Sequence, residues 1–262
     1  YAFSRDTKLK KISFEGDAPS IGAHTFYGVT AAVTYPADNN TWNDAAKKQY
    51  GGTLTWNNKT DDNKQQCGKK AYWEVKDGVL TISGEGAVDD YDSAKQRPWN
   101  ESVAEITKVV VEDGITTVGN FAFYGMVNLA EVELADSVIV MGAYSFKNCS
   151  NIEQITLPQN LTEIKDSAFY GCTRLASITI PAKVTKIGDY VFSRNVQLKQ
   201  VKFEGSAPTI AAHAFSGVVA VVTYPSDDAS WTSDMKKNYG GTLDWKESGE
   251  KQQCGKTAYW EV

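Results

Sequence analysis

Five phenylalanines, Phe123, Phe146, Phe169, Phe192 and Phe215, stand 23 residues apart. Four more files keep the same step: Leu129, Ile152, Leu175 and Leu198; Val132, Ile155, Ile178 and Val201; Leu134, Leu157, Ile180 and Phe203; and Val118, Met141, Ile164, Ile187 and Ile210. Apolar files in one shared register admit few folds. Each coil carries an apolar edge that it cannot bury alone, and stacking lays Leu on Leu and Phe on Phe to make a continuous core. The unit reads L-x-x-I-x-L-P-x-x-V-x-x-I-G-x-x-A-F-x-x-C and is clearest in LASITIPAKVTKIGDYVFSR, residues 175–194. Its first part alternates at its end, which is the period of a strand. The stretch V-x-x-I-G-x-x-A-F predicts a second short strand, then a turn or short helix that places Ala and Phe inward.

A longer repeat lies above this one. Residues 1–56 align without gaps on residues 190–245, with 32 identities in 56 positions. After a two-residue difference, QQCGKKAYWEV (65–75) matches QQCGKTAYWEV (252–262). The chain therefore reads as starting inside one coil and ending where a further module begins, a fragment of a longer tandem array. It opens on Tyr-Ala-Phe-Ser-Arg, without a charged-then-apolar leader,. The sections expected are the end of one repeat array with its C-terminal cap (1–56), a polar linker (57–66), a β-hairpin entry module (67–101), a main array (102–217), and a cap with the start of the next entry module (218–262). In the caps, strands are expected at Ala32–Tyr35 and Thr53–Trp56, with a short helix from about Trp42 to Tyr50 behind an Asn/Asp cluster suited to capping. Two alternating runs meet at Asp77-Gly78, a strong hairpin signal.

Composition excludes several classes. Hydrophobic residues make up 42% and charged residues 23%, so the chain is expected to fold. No stretch approaches the roughly 20 apolar residues of a membrane helix. The net charge is −5 and the lysines are dispersed, whereas nucleic-acid binding needs a basic face.

A period between about 20 and 29 residues with this spacing is leucine-rich-repeat-like. The fold class expected is an α/β repeat solenoid, β-dominated, with short helices. SITIPAKVTKIGDYVFSRN (177–195) resembles the BspA-like (Treponema-type) bacterial leucine-rich repeat. CGKKAYWEVKDGVLTISGEGAVDDY (67–91) and VTYPSDDASWTSDMKKNYGGTLDW (222–245) are similar to segments that flank such arrays. The resemblance covers essentially the whole chain. It implies a secreted or surface-anchored bacterial protein that adheres to host matrix proteins, host cells or other bacteria, and it supplies no catalytic residues. The array departs from its own consensus at Lys165, where Gly119, Gly142 and Gly188 stand elsewhere, and at Met126 and Asn195, where Cys149 and Cys172 stand.

Little chemistry is motif-bearing. Cys149 and Cys172 are expected to stack as small buried side chains, with a disulfide between them as the alternative where the geometry is favourable; Cys67 and Cys254 are expected to be lone buried thiols, and there is no C-x-x-C or Cys/His cluster to hold zinc. His24 and His213 share a position with Phe121, Tyr144, Ser167 and Tyr190, a half-buried packing site rather than part of a triad. Asp89, Asp90 and Asp92 lack calcium-loop spacing. No catalytic, metal or cofactor site is expected.

Two surfaces remain for binding. One is the outward side of the strand ladder, with Lys108, Glu131, Gln154, Ser177 and Gln200 in one file and Val110, Glu133, Thr156, Thr179 and Lys202 in the next. The other is the aromatic set Tyr35, Trp42, Tyr50 and Trp56 with its duplicate Tyr224, Trp231, Tyr239 and Trp245. It reads as a cap, or as a sugar-binding groove if the tryptophans are exposed. The favoured reading is a non-enzymatic adhesion segment, monomeric, with an extracellular protein or glycan ligand. A carbohydrate-binding module and a passive spacer are the alternatives.

Overall fold

A computed structural model describes residues 1–36, 39–59, 65–248, 251–253 and 259–261. They form two compact units, Tyr1–Lys64 and Gln65–Val262. In the first, β1 (Lys11–Ser13), β2 (Thr30–Pro36) and β3 (Thr53–Lys59) lie parallel in that order.

The second unit opens with antiparallel strands β4 (Gln65–Gln66), β5 (Lys70–Lys76) and β6 (Val79–Ala87). The β5–β6 turn has Asp77 at φ 50° and Gly78 at φ 77°, the left-handed pair that a tight hairpin of this hand requires. β6 then feeds two ladders at once. Val79–Ile82 pair in parallel with β7 (Lys108–Val111), and Gly86–Ala87 pair with β8 (Ile115–Val118). Between these halves Gly84 sits at φ 100°, and a Cβ there would lie 2.2 Å from the carbonyl oxygen of Lys70. Only glycine fits that bend.

One ladder holds β7, β9 (Glu131–Leu134), β12 (Ser177–Ile180), β14 (Gln200–Phe203), β16 (Val219–Pro225) and β17 (Thr242–Ser248). The other holds β8, β10 (Val140–Met141), β11 (Glu163–Ile164), β13 (Lys186–Ile187) and β15 (Thr209–Ile210). All their pairings are parallel, and within the array the partners lie 23 residues apart, as in Lys108↔Glu131, Val140↔Glu163 and Ser177↔Gln200. A final antiparallel pair joins β18 (Lys251–Gln253) and β19 (Tyr259–Glu261).

The five phenylalanines form one stack, with successive ring centroids 5.0, 5.3, 5.9 and 5.2 Å apart. All are fully buried. Trp99 closes the stack from the loop before the array. Its ring lies 5.9 Å from Phe123, its Nε1–H donates to the carbonyl of Ala122, and it is fully buried. The repeated glycine of the I-G step has a packing cause. A Cβ on Gly119, Gly142 or Gly188 would lie 2.0–2.6 Å from atoms of the neighbouring backbone or of Asp166.

The molecule is a leucine-rich-repeat-like β-solenoid almost without helix, which corrects the expected α/β character. Among the described residues only two 3-10 turns occur, Ala94–Gln96 and Asn100–Ser102. The helix expected from Trp42 to Tyr50 is a set of turns. Asn43 Oδ1 takes up the N–H groups of Ala45 and Ala46, and one helical bond, Lys47 N–H to Asn43 O, closes. A single turn does not repay helix nucleation.

Asn195 is wholly buried on the rung of Met126, Cys149 and Cys172. Neither its amide nitrogen nor its oxygen has a partner among the described residues. Cys149 and Cys172 occupy that rung by donating to the carbonyls of Phe123 and Phe146 at 3.0 and 3.3 Å. Buried polar atoms without partners cost about 1–3 kcal/mol. Asn195→Cys is therefore expected to raise the urea midpoint by that order of stability, and an unchanged midpoint would contradict it.

Candidate functional site

The outward file of the first ladder lies where strand alternation puts it. Glu131, Gln154, Ser177 and Gln200 are exposed, as are Glu133, Thr156, Thr179 and Lys202, while Lys108 and Val110 are half-buried. Lys108 is ringed by charge, with Nζ 2.5 Å from Glu133 and 3.6 Å from Glu131. The hydrogen bond to Glu133 is the main reason its ammonium holds its proton above the ordinary lysine range. Glu153 pairs with Arg174 across the next interface.

The ladder is not continuous, which the repeat pattern alone did not announce. β9 pairs only with β7, β12 pairs only with β14, and residues 153–157 between them form no strand. Prolines supply the cause. Elsewhere a backbone N–H closes the end of each rung: Ala135 donates to Val111 O, and Glu204 to Ile180 O. The matching donors toward Leu134 and Leu157 would come from Pro158 and Pro181, which have no N–H. Among the described residues, one backbone bond ties this segment to the following coil, Ala176 N–H to Glu153 O, and none ties it to β9. The apolar side chains register the break. Val132 and Leu134 are half-buried and Ile155 is 8% exposed, whereas Val109, Ile178 and Val201 are 0–3% exposed. A cleft of about 360 Å³ opens there, lined by 130–133 and 153–156. The second ladder stays paired alongside, through Val140↔Glu163 and Met141↔Ile164. The available signal was Pro158 and Pro181 standing where Ala135 and Glu204 stand in other coils.

The aromatic sets are closed clusters. Trp42 and Trp231 are only 3% and 5% exposed. Their Nε1–H groups donate to Gly16 O and Gly205 O at 2.8 and 3.0 Å, and their rings pack on Phe14 and Phe203 at 4.7 and 4.8 Å. Tyr50 and Tyr239 donate to Ala46 O and Met235 O, each at 2.7 Å. The duplicated sequence thus makes duplicated bonds. The sugar-binding groove would have needed Trp42 and Trp231 exposed, and their burial removes that reading.

His24 and His213 are exposed rather than half-buried. They stack on Tyr1 and Tyr190 at 5.5 and 5.1 Å, and His213 Nδ1 lies 3.2 Å from Asp189. Phe121, Tyr144, Ser167 and Tyr190 hold this position at φ 55–59°. Asp89, Asp90 and Asp92 are exposed, and Asp90 Oδ1 accepts the N–H of Asn120. Among the described residues no group of three His, Cys, Asp or Glu could hold a metal ion. No described helix is long and apolar enough to cross a membrane.

Cys67, Cys149 and Cys172 are free and buried; Cys254 lies outside the described residues. Burial pushes the Cys149 thiol from its usual 9.0 to about 12 and that of Cys172 well above 9.0. Because the native site favours the protonated thiol, this stabilisation is complete below pH 9 and is lost as pH rises from 9 toward 12. For Cys149 the loss is on the order of 1 kcal/mol per pH unit in that window. Urea midpoints at pH 8 and 10 should therefore fall less steeply for Cys149→Ala than for the unaltered chain; equal slopes would refute the assignment.

A family model described as BspA type leucine rich repeat region matches residues 1–46 and 100–221 in six copies. No curated protein matches. Among solved structures, the chain is similar to a leucine rich cell surface protein of Faecalibacterium prausnitzii. The identity is 21%, with 76% of this chain and 58% of that one covered, at a TM-score of 0.47. It is also similar to the pneumococcal vaccine antigen PcpA, at 14% identity with 91% and 68% covered and a TM-score of 0.48. The leucine rich repeat protein of T. pallidum matches at 22% identity, with 53% and 71% covered and a TM-score of 0.40. With a family model spanning most of its length and the same 23-residue coil in its core, the chain belongs to the BspA-type leucine-rich-repeat family.

Proposed function

We propose that this chain is a non-enzymatic binding segment of a bacterial surface or secreted protein, and that it recognises an extracellular macromolecule on the outward face of its first strand ladder. The observation that carries this reading is the row of exposed Glu131, Glu133, Gln154, Thr156, Ser177, Thr179, Gln200 and Lys202, held on coils whose inner side is a buried Phe stack. Repeat solenoids present such extended faces to partners. The cleft between 130–133 and 153–156 is open at the surface, a form suited to an extended partner.

The test is an array of host matrix proteins, mucins and polysaccharides, probed with the purified chain at two salt concentrations. A saturable hit is expected, and Glu131→Lys with Glu133→Lys is expected to weaken it about tenfold, or about 1.4 kcal/mol. The reversal also removes the two partners of Lys108, an exposed pairing that contributes little stability, so a melting curve is recorded beside the binding to show that the variant is folded. Binding unaffected by the charge reversal would move the site off this face. No hit at all would favour the spacer reading.

A further inference from the structure

The break in the first ladder leaves a strand edge inside the solenoid, between the paired strands β7–β9 on one side and β12–β14 on the other. A strand edge is a template for another chain, and soluble proteins usually cover it or blunt it with lysine or proline. Here Pro158 ends the opposing segment 153–157, and β9 (Glu131–Leu134) carries neither proline nor lysine. Pro158 denies Leu134 O its donor, and no backbone N–H among the described residues bonds Ala130 O, whereas the matching oxygens Thr107 O, Glu153 O and Ala176 O accept from Ala130, Ala176 and Lys199. The same four residues present a half-buried apolar pair, Val132 and Leu134, and an exposed acidic pair, Glu131 and Glu133. Across the cleft stands a third carboxylate, Glu153. Lys108 and Arg174 answer these three carboxylates, and no cation lines the cleft itself. Like charges near one another across a ladder oppose its closing.

We propose that the free edge of β9 takes up an extended segment of a partner protein by strand addition. The partner's backbone N–H groups donate to Ala130 O and Leu134 O. Its alternate side chains are apolar toward Val132, Leu134 and Ile155, and Lys or Arg toward Glu131, Glu133 and Glu153. Main-chain bonds then give affinity while alternate side chains give selectivity. This deepens the ladder-face reading and rests on it.

The experiment uses the full chain and three synthetic eight-residue peptides. One alternates Val and Lys, the second alternates Val and Glu, and the third is the Val/Lys peptide with alternate backbone nitrogens methylated. Hydrogen exchange is followed at 130–134, 153–157 and Ser177–Ile180. In the free protein, 153–157 should exchange at least tenfold faster than Ser177–Ile180. The Val/Lys peptide should slow exchange at 130–134, and the other two should not. Glu131→Lys with Glu133→Lys should abolish that protection. Equal exchange rates in the free chain would overturn the proposal. So would protection by the methylated peptide, or no protection by any peptide. An array hit lost on charge reversal, beside no peptide protection, overturns the edge inference and leaves the face reading standing. Peptide protection without an array hit does the reverse.

Discussion

Trp99→Ala is expected to destabilise the Gln65–Val262 unit by about 3–5 kcal/mol, the range for truncating a buried tryptophan. The ring is fully buried and touches three aromatic neighbours, Phe123, Trp73 and Tyr91, at 5.8–6.0 Å. Its Nε1–H also satisfies the Ala122 carbonyl, which would be left bare. In a stacked array each coil is stabilised chiefly by its neighbours, so an unplugged end frays inward. Urea denaturation should show a lower midpoint, and exchange should accelerate first at β7 and β8. A loss below about 1 kcal/mol would mean that the loop repacks to cover Phe123.

Phe169→Ala should cost a similar 3–5 kcal/mol and should also change the shape of unfolding. Phe146 and Phe169 stack at 5.3 Å with a 5° interplanar angle, where the first ladder lacks strand pairing. What else crosses there is the two-residue β10–β11 pairing and loop bonds such as Phe146 N–H to Ala168 O at 2.8 Å. Removing the ring leaves the two halves of the array weakly coupled. Two transitions, or a broadened one with a reduced m-value, are expected in place of a single cooperative step. Phe192→Ala, flanked by paired strands on both ladders, should keep one transition. Identical profiles for the two variants would show that the open ladder does not weaken coupling.

The coils were legible because a period is a many-residue signal: the Phe, Leu and Ile files fix the register without any knowledge of contacts. The caps were legible through duplication, since Tyr35 and Trp42 recur as Tyr224 and Trp231. Other features were hidden for physical reasons. The Asn/Asp cluster before Trp42 carries capping chemistry, but Asn43 spends it on a single turn. Trp99 lies in a loop outside the repeat register, so nothing in the periodicity marks it as the plug. The open ladder turns on which backbone N–H closes a rung. Pro158 and Pro181 look like ordinary consensus prolines until Ala135 and Glu204 are seen donating at their positions. The ladder-face residues were readable from alternation, but alternation could not distinguish a closed sheet surface from one with a gap.

The entry strand β6 serves both ladders at once, and the Trp231 cap closes the far end without touching it. Neither terminus depends on how many coils lie between. In-frame gain or loss of one 23-residue coil therefore leaves both ends intact and moves them apart or together by one rung. The number of coils can therefore change without remaking either end of the array.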